Sequence, residues 1–262
     1  LSICSADGTA VECFVVEPET EKPLPGMLYC HGGGFFLPLE VPALELAAVY
    51  ARKLGVRVFL PDYRLLPEHP YPIPLWDCRA VWTAMGEREA EFRLDGRALL
   101  YGESAGGALA AGLAQRLRDE EEPSPCGQVL VYPALDDRSE KYFSVERYSG
   151  AVWTKRANAQ MWSGYLKNGF QGPEGHAVPL RGTDFTGLPP AYVEPQGIDL
   201  LRDEGAAYGE RLREAGVPVN VNIIEGSYHG FDADVENPFV QTVLEQRIRA
   251  MADMLADHKN EE

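Results

Sequence analysis

The chain contains 262 residues, enough to bury one substantial hydrophobic core, and we predict a single domain over residues 1–262. It is strongly acidic, with 24 Lys and Arg against 40 Asp and Glu and a formal net charge of -16. This charge repels the phosphates of nucleic acids and anionic membrane surfaces, so neither is an expected partner. Residues 1–5 lack the basic region and apolar stretch of a signal peptide, and no uncharged run of about 18 residues suits a membrane span. These features favour a cytoplasmic protein.

Residues 2–16 alternate between apolar and polar side chains around Asp7-Gly8, which predicts an antiparallel hairpin. A two-residue turn there would place Val11, and not Cys13, opposite Cys4, so a disulfide between these cysteines is not expected. The five cysteines are an odd number, lie in different predicted elements and include no Cys-x-x-Cys pair. They are interpreted as reduced thiols without a zinc or redox role.

Beyond the hairpin, short apolar runs alternate with longer segments of helical periodicity. The apolar runs cover residues 27–30, 56–60, 98–101, 128–132, 191–193 and 219–224. The helical segments cover residues 43–54, 75–85, 106–117, 201–215 and, at the end, 240–256. Strands that alternate with helices predict an α/β fold with a mainly parallel central sheet and helices on both faces.

Residues 138–190 interrupt this alternation, because the segment is too long for an ordinary connection between a strand and a helix. Its seven aromatic residues are Tyr142, Phe143, Tyr148, Trp153, Trp162, Tyr165 and Phe170. A long insertion after a strand of an open α/β sheet lies near the ends where ligands bind, so we predict a cap or lid whose aromatics wall a compact pocket. A segment that wraps the domain without covering a site is the alternative.

The hexapeptide GESAGG at residues 102–107 follows one predicted strand and opens the next helix. A Gly-x-Ser-x-Gly turn between a strand and a helix exposes the serine hydroxyl, and the serine becomes nucleophilic when a base holds its oxygen. Ser104 is therefore the predicted nucleophile. Its neighbour Glu103 is expected to point away from the hydroxyl and to act as a local polar support.

A second glycine-rich segment, HGGGFF at residues 31–36, follows the strand predicted at 27–30. Consecutive glycines let backbone N–H groups approach a substrate oxygen, and a developing oxyanion needs such donors. We predict an oxyanion hole formed by Gly33, Gly34 and Ala105. A flexible glycine loop is the alternative. Phosphate binding is not indicated, because neither Gly-x-Gly-x-x-Gly nor a Gly-Lys-Ser/Thr loop is present.

Five histidines are candidates for the general base, and His229 is the predicted one. It follows the last predicted strand run, and a histidine in such a loop can reach a serine at a nucleophile elbow. Structural or solvent-exposed roles are expected for the other four, His31, His69, His176 and His258.

Asp199 is the predicted acid that orients His229. It follows the strand run at 191–193 and precedes the helix at 201–215, and the chain order Ser104, Asp199, His229 is the order found in α/β-hydrolases. In the alternative interpretation Asp199 only caps the helix, and Asp203 or Glu194 orients the histidine.

Five segments together resemble the hormone-sensitive-lipase-like, or bacterial family IV, esterases: HGGGF at 31–35, DYRLLPEHP at 62–70, GESAGG at 102–107, LLRDEG at 200–205 and HGF at 229–231. The resemblance spans nearly the whole chain. It implies an α/β-hydrolase fold, hydrolysis of carboxylic esters with short acyl chains, and no cofactor. The family's catalytic triad and oxyanion glycines carry over onto Ser104, Asp199, His229, Gly33, Gly34 and Ala105.

The chain departs from the family pattern at several positions. The usual Asp before the nucleophile is Glu103, a usual Ala is Leu66, and a Glu often found two positions before the acid is Gly197. Many members also begin with a helical cap segment, whereas this sequence begins almost directly with the hairpin, which leaves 138–190 as the predicted lid. These differences concern the pocket, so we expect the reaction to be retained.

The sequence thus predicts a serine carboxylesterase acting on a small-molecule ester, without a metal site. Phe35, Phe36 and Leu66 are predicted to contact the acyl group near the glycine-rich segment. Two alternatives stay open: an amide or formamide hydrolase that uses the same groups, and a non-catalytic ligand receptor on the same fold.

Overall fold

A mainly parallel sheet forms the centre of the molecule. The computed structural model describes residues 1–148 and 152–257. Its strands are β1 (Ser2–Cys4), β2 (Ala10–Val16), β3 (Leu24–Cys30), β4 (Arg57–Pro61), β5 (Leu94–Glu103), β6 (Gly127–Val131), β7 (Ala191–Glu194), β8 (Gln196–Ile198), β9 (Val219–Val221) and β10 (Ile224–Tyr228). Within those ranges, eight strands form one sheet in the order β1-β2-β4-β3-β5-β6-β7-β9. From β4 to β9 all neighbours are parallel, and β1-β2 and β2-β4 are antiparallel.

Helices cover both faces of this sheet. They are α1 (Val41–Leu54), α2 (Ile73–Glu87), α3 (Glu89–Phe92), α4 (Ala105–Asp119), α5 (Phe143–Tyr148), α6 (Lys155–Tyr165), α7 (Glu174–Ala177), α8 (Arg202–Glu214) and α9 (Pro238–Asp257). Along β3, Met27 and Tyr29 pack in the core that contains α1 and α9, while Leu28 and Cys30 pack in the core that contains α2, α4 and α8. A strand that is buried on both sides is apolar at consecutive positions, and this explains the short apolar runs of the sequence. The predicted α/β fold class is confirmed.

The hairpin forms, but its predicted register is wrong by one residue. Cys4 lies opposite Ala10 instead of Val11. The connection is a three-residue loop, since the Ser5 N–H donates to the Thr9 carbonyl across it (2.8 Å), and not the two-residue turn expected at Asp7-Gly8. All five cysteines are free thiols.

The last predicted strand run, 219–224, divides into two strands of different sheets. β9 closes the edge of the large sheet beside β7, whereas β10 leaves that sheet and pairs in parallel with β8. The short β8-β10 pair lies beyond the carboxyl end of β7 along the chain, and it carries the residues that precede Asp199 and His229.

The predicted lid at 138–190 contains several short helices instead of forming an open loop. Its residues 149–151 lie outside the described ranges. One part packs on α4: a Cβ at Gly112 would lie 2.3 Å from the His176 carbonyl oxygen, and Gln115 Nε2 donates to the Pro179 carbonyl (2.9 Å). This part wraps the domain. Another part, at Trp153, reaches the carboxyl ends of the strands, and whether it acts as a lid stays a prediction.

Candidate active site

Ser104 lies at a sharp turn between β5 and α4, with φ 53° and ψ -121°. A positive φ is uncommon outside glycine and is retained only where the surroundings hold it. Here the Ser104 N–H donates to the Val131 carbonyl (3.0 Å), and the Ala134 N–H donates to the Ser104 carbonyl (2.9 Å). The helix also packs tightly, because a Cβ at Gly106 would lie 2.0 Å from the Cys30 carbonyl oxygen. The turn therefore has the backbone geometry of a nucleophile elbow.

The β8-β10 pair brings an acid and a base to this turn. Ile198 ends β8 and pairs with Tyr228, which ends β10, so the next residue of each parallel strand emerges at the same edge. His229 Nδ1 donates to Asp199 Oδ2 (2.8 Å), and the Ser104 hydroxyl donates to His229 Nε2 (2.9 Å). All three side chains are buried. The structure thus places the predicted nucleophile, base and acid in one continuous chain of hydrogen bonds.

The competing acids lie elsewhere. Asp203 Oδ2 accepts the backbone N–H of Ser144 (2.8 Å), and Glu194 is paired with Arg247 (2.6 Å). Neither contacts the histidine ring. Asp199 also accepts the Leu201 N–H through Oδ1 (3.2 Å) in the turn that precedes α8, while its Oδ2 binds the histidine; α8 itself begins without a side-chain cap.

The glycine loop, residues 31–36, follows β3 beside the nucleophile. Gly33 and Gly34 have φ values of 104° and 62°, which only glycine adopts without strain. No hydrogen bond between described residues uses the backbone N–H of Gly33 or of Gly34. Ala105 is the first residue of α4, where helix N–H groups have no acceptor within the helix. Of the three residues predicted for the oxyanion hole, Ala105 follows Ser104 in the sequence, and Gly33 and Gly34 line the same pocket as Ser104.

His31 holds the glycine loop in place through its buried side chain. Its ring is buried and stacked on Tyr63 (centroids 4.2 Å apart), and Nδ1 donates to the Gly32 carbonyl (2.8 Å). Burial lowers the pKa of His31 to about 4, because it disfavours the charged imidazolium. His176 is bound to Asp119 (2.7 Å), and His258 lies outside the described residues. His31 and His176 have the structural roles that the sequence predicts.

A pocket of about 530 Å³ opens at the Ser104 hydroxyl. Its apolar wall is formed by Phe36, Leu37, Pro38, Pro42, Ala43, Leu46, Val152 and Trp153. Of the three residues predicted to contact the acyl group, only Phe36 lines this pocket. Phe35 is fully buried and stacked on Tyr165 (centroids 4.1 Å apart), and Leu66 is 5% exposed in the same core. The prediction for Phe35 and Leu66 is corrected: neither lines the pocket, because Phe35 stacks on Tyr165 and Leu66 is buried in the same hydrophobic core.

Trp153 is the one insertion aromatic that lines the pocket among the described residues. Its ring lies 5.9 Å from the His229 ring, and a Cβ at Gly34 would lie 2.7 Å from it. The indole N–H donates to Asn158 Oδ1 (3.1 Å), and Asn158 is itself bound to Ser139 (2.8 Å). The expectation that all seven aromatics wall the pocket is wrong, since the others pack in the core or lie on the surface.

A buried charged cluster, which sequence reasoning missed, lies behind the histidine. Tyr132 packs 4.8 Å from the His229 ring and donates to Asp232 Oδ1 (2.7 Å). Arg247, fully buried on α9, lies 3.0 Å from Asp232 and binds Glu194 through two nitrogens. These residues are far apart in the chain. The one sequence signal for them is Arg247, a charged residue at a position where the apolar face of α9 would otherwise continue.

The described residues offer neither a metal centre nor a membrane-spanning helix. Three or more His, Cys, Asp or Glu side chains do not come together anywhere in residues 1–148 and 152–257 in a way that could bind a metal ion. In the same part of the chain, every helix is too short or too polar to cross a bilayer.

Known proteins share this arrangement of sequence and fold. A family model described as "alpha/beta hydrolase fold" matches residues 27–233. Esterase LipI of Mycobacterium tuberculosis is 38% identical over 214 residues, 79% of this chain and 65% of the relative. Carboxylic ester hydrolase LipN of the same organism is 34% identical over 214 residues, 79% of this chain and 57% of the relative. The chain therefore spans less than two thirds of the length of these two curated relatives. The structure of a bacterial heroin esterase superposes with a TM-score of 0.90 at 34% identity, covering 97% of this chain and 83% of that one.

Proposed function

The chain belongs to the hormone-sensitive-lipase-like esterases of the α/β-hydrolase family, and on this premise we propose that it hydrolyses carboxylic esters of small molecules. The observation that carries the proposal is the continuous hydrogen-bonded chain from Ser104 through His229 to Asp199 at the floor of a pocket. The names of the relatives, which refer to esterases and ester hydrolases, support the same reaction.

In the first half of the proposed reaction, His229 Nε2 takes the proton of the Ser104 hydroxyl while the serine oxygen attacks the ester carbonyl. The carbonyl π electrons move to oxygen, and the backbone N–H groups of Gly33, Gly34 and Ala105 stabilise the resulting oxyanion. When the tetrahedral intermediate collapses, the bond to the alcohol breaks, and His229 returns its proton to the leaving alkoxide. An acyl-enzyme on Ser104 remains.

In the second half, water replaces the alcohol. His229 takes a proton from the water, the hydroxide oxygen attacks the acyl-enzyme, and the same amides hold the second oxyanion. Collapse of this intermediate returns the proton to Ser104 and releases the carboxylic acid. Asp199 keeps Nδ1 protonated throughout and stabilises the imidazolium, without accepting the proton itself.

We propose short acyl chains as the preferred substrates, because Trp153 lines the pocket with its ring only 5.9 Å from the ring of His229. Each methylene that is buried contributes about 0.8 kcal/mol, whereas one that meets the wall contributes nothing or strains it. We expect acetate to hexanoate esters to be the best substrates.

Labelling with a fluorophosphonate, combined with turnover of p-nitrophenyl acetate, tests the reaction. The wild-type chain should be labelled on Ser104 and should release p-nitrophenol, and Ser104→Ala should lose the label and roughly 10⁴-fold or more of kcat while it stays folded. Near-normal turnover by folded Ser104→Ala would overturn the proposal. A matched acetate ester and acetanilide separate an esterase from an amide hydrolase, and a wild-type chain without label or turnover would point to the receptor alternative.

A further inference from the structure

Glu103 connects the nucleophile strand to the glycine loop. It is the last residue of β5 and directly precedes Ser104, and β5 is paired with β3, whose Cys30 lies opposite Gly102. The glycine loop leaves β3 at that point. Gly32 therefore lies against the side chain of Glu103, and a Cβ built on Gly32 would lie 3.5 Å from Glu103 Cγ.

Both carboxyl oxygens of Glu103 have a defined donor. The Gly32 backbone N–H donates to Oε1 (3.3 Å), and the hydroxyl of the fully buried Tyr29 donates to Oε2 (2.8 Å). Tyr29 fixes the carboxyl plane, and the carboxyl then fixes the amide of Gly32. The next two amides along the loop, those of Gly33 and Gly34, donate to no acceptor among the described residues.

The carbonyl groups of the glycine loop are bound by other side chains. Tyr63, after β4, donates its hydroxyl to the His31 carbonyl (2.8 Å), and His31 Nδ1 donates to the Gly32 carbonyl (2.8 Å). The carbonyls are thus held by aromatic side chains, while Glu103 is the side chain that holds a loop N–H. Without Glu103, the half-buried N–H of Gly32 would have no hydrogen-bond partner. The peptide planes on either side of Gly32 could then rotate, because glycine restricts its backbone dihedral angles less than any other residue.

We propose that Glu103 is a positioning residue, which aligns the oxyanion amides of Gly33 and Gly34 with Ser104 by binding the N–H of Gly32. This role rests on the proposed function. In this chain, where the glutamate reaches both Tyr29 and Gly32, the role requires an acceptor oxygen at the Gly32 N–H and does not require a negative charge.

The surroundings of Glu103 agree with a neutral acceptor. The residue is 9% exposed, and among the described residues no Lys or Arg lies within ion-pair distance of its carboxyl group. The charged and titratable groups that face it are Tyr29 on β3, Tyr63 after β4, Tyr101 on β5, Tyr132 after β6, Asp232 after β10 and Arg247 on α9. Burial, with a smaller contribution from Asp232, raises the pKa of Glu103 to about 7. Glutamine is therefore a close replacement, since its carbonyl oxygen can accept the same N–H.

Three substitutions separate positioning from simple structural support. Glu103→Asp shortens the side chain by one methylene and withdraws the acceptor, and Glu103→Ala removes it. In both we expect kcat for p-nitrophenyl acetate to fall about 10- to 100-fold with KM changed less than about threefold, because oxyanion donors act on the transition state. Glu103→Gln should restore kcat to within about threefold of the wild-type value.

Affinity for a trifluoromethyl ketone supplies the decisive readout. Ser104 adds to the ketone carbonyl, its proton passes to His229, and the resulting hemiketal oxyanion occupies the same hole as the oxyanion of the reaction. Its inhibition constant should rise in Glu103→Asp and Glu103→Ala by about the factor by which kcat falls. Glu45→Asp, the same change at an exposed glutamate on α1, serves as the matched control and should alter neither quantity.

Several results would overturn the role of Glu103 and leave the proposed function in place. They are wild-type kcat in Glu103→Asp, an equal loss in Glu103→Gln and Glu103→Ala, or a fall in kcat without weaker ketone binding. If the aspartate and alanine variants fail to fold, Tyr29→Phe takes their place, because it frees the carboxyl plane and should lower kcat and ketone affinity together; unchanged values in folded Tyr29→Phe would overturn the role. A wild-type chain without turnover or Ser104 labelling would overturn the proposed function and this role with it.

Discussion

At the scale of single residues, Asp199 uses its two carboxylate oxygens for two different neighbours. One accepts the N–H at the start of α8 and the other accepts the Nδ1–H of His229. Of the two alternatives that the sequence left open for this residue, helix cap or partner of the histidine, the contacts favour the second, because α8 has no side-chain cap. The bond to the Leu201 N–H fixes the carboxylate plane, and a fixed plane is what orients the imidazole.

Asparagine at position 199 should be much more damaging than asparagine at position 203. In Asp199→Asn the amide cannot favour the correct tautomer of His229, so we expect kcat to fall about 10⁴-fold. In Asp203→Asn the side-chain oxygen can still accept the Ser144 N–H, and kcat should stay within about threefold of wild type. Steady-state kinetics with p-nitrophenyl acetate check both values, and a worse loss in Asp203→Asn would mean that Asp199 is not the acid.

The raised pKa of Glu103 predicts a pH-dependent gain in stability for Glu103→Gln. Because folding raises this pKa from its ordinary value to about 7, the favourable contribution of the neutral form is present at low pH and is lost as the pH rises through about 7. Glutamine cannot ionise. The free energy of unfolding of Glu103→Gln relative to wild type should therefore rise between pH 4.5 and pH 8, by at most about 3 kcal/mol.

Urea denaturation at several pH values measures this difference. Glu45→Gln, at an exposed site of α1, provides the control and should show a difference that does not depend on pH. A flat profile for Glu103→Gln would contradict the raised pKa.

At the scale of elements, the site is built where parallel strands end. The glycine loop follows β3, Ser104 follows β5, Asp199 follows β8 and His229 follows β10. Pairing of β3 with β5 brings the first two segments together and pairing of β8 with β10 the last two, and the packing of the small sheet against the large one unites them. The insertion adds a wall to this edge through Trp153, whose indole is held by Asn158. Trp153 lies just before α6 and lines the pocket, and we propose that it limits the depth available to an acyl chain.

Trp153→Ala should therefore change acyl-chain selectivity. With the indole removed, longer acyl chains can be buried, and we expect the optimum of kcat/KM to move from acetate to hexanoate esters towards octanoate or longer. Asn158→Ala should move it in the same direction but less, because the ring stays and loses only its hydrogen bond to Asn158, although the bond of Asn158 to Ser139 is lost as well. A series of p-nitrophenyl esters from acetate to palmitate measures the shift. If the wild type already had its optimum at laurate or longer, Trp153 would not limit the length of the acyl chain that the pocket accepts.

At the scale of the whole molecule, the net charge is -16, and acidic side chains are also present at the site itself. Glu40 and Asp232 line the pocket, and no Lys or Arg does so among the described residues. The buried Arg247 faces two carboxylates, Glu194 and Asp232, so the cluster behind the histidine has no excess of positive charge. We therefore expect a negative potential at the pocket.

Substrates that carry a carboxylate should be disfavoured for this reason. Methyl hexanoate and the monomethyl ester of adipic acid have acyl chains of equal length, and only the second is anionic. We expect its kcat/KM to be about tenfold lower at low ionic strength, with the ratio narrowing as added salt screens the exposed charges. Glu40→Gln should narrow the ratio at low salt as well. Equal kcat/KM values at all salt concentrations would show that the charge of the molecule does not act at the site.

The sequence by itself determined the α/β class, the family, and the elements from which the site is built. It did so because these depend on local patterns: apolar runs and helical periodicity reflect burial of each segment, and a glycine-flanked serine reflects a turn that no other residues tolerate. Predicted family membership is confirmed by the match over residues 27–233.

Only the tertiary structure decided which side chains face the pocket. Phe35 and Phe36 are neighbours in sequence, yet the first is buried in the core with a positive φ and the second is exposed. The hairpin register likewise differs from the prediction because its loop has three residues instead of two. Trp153 and the partners of Glu103 are brought to the site by contacts between segments distant in the chain, and such contacts are selected by the packing of the whole fold, which no local pattern records.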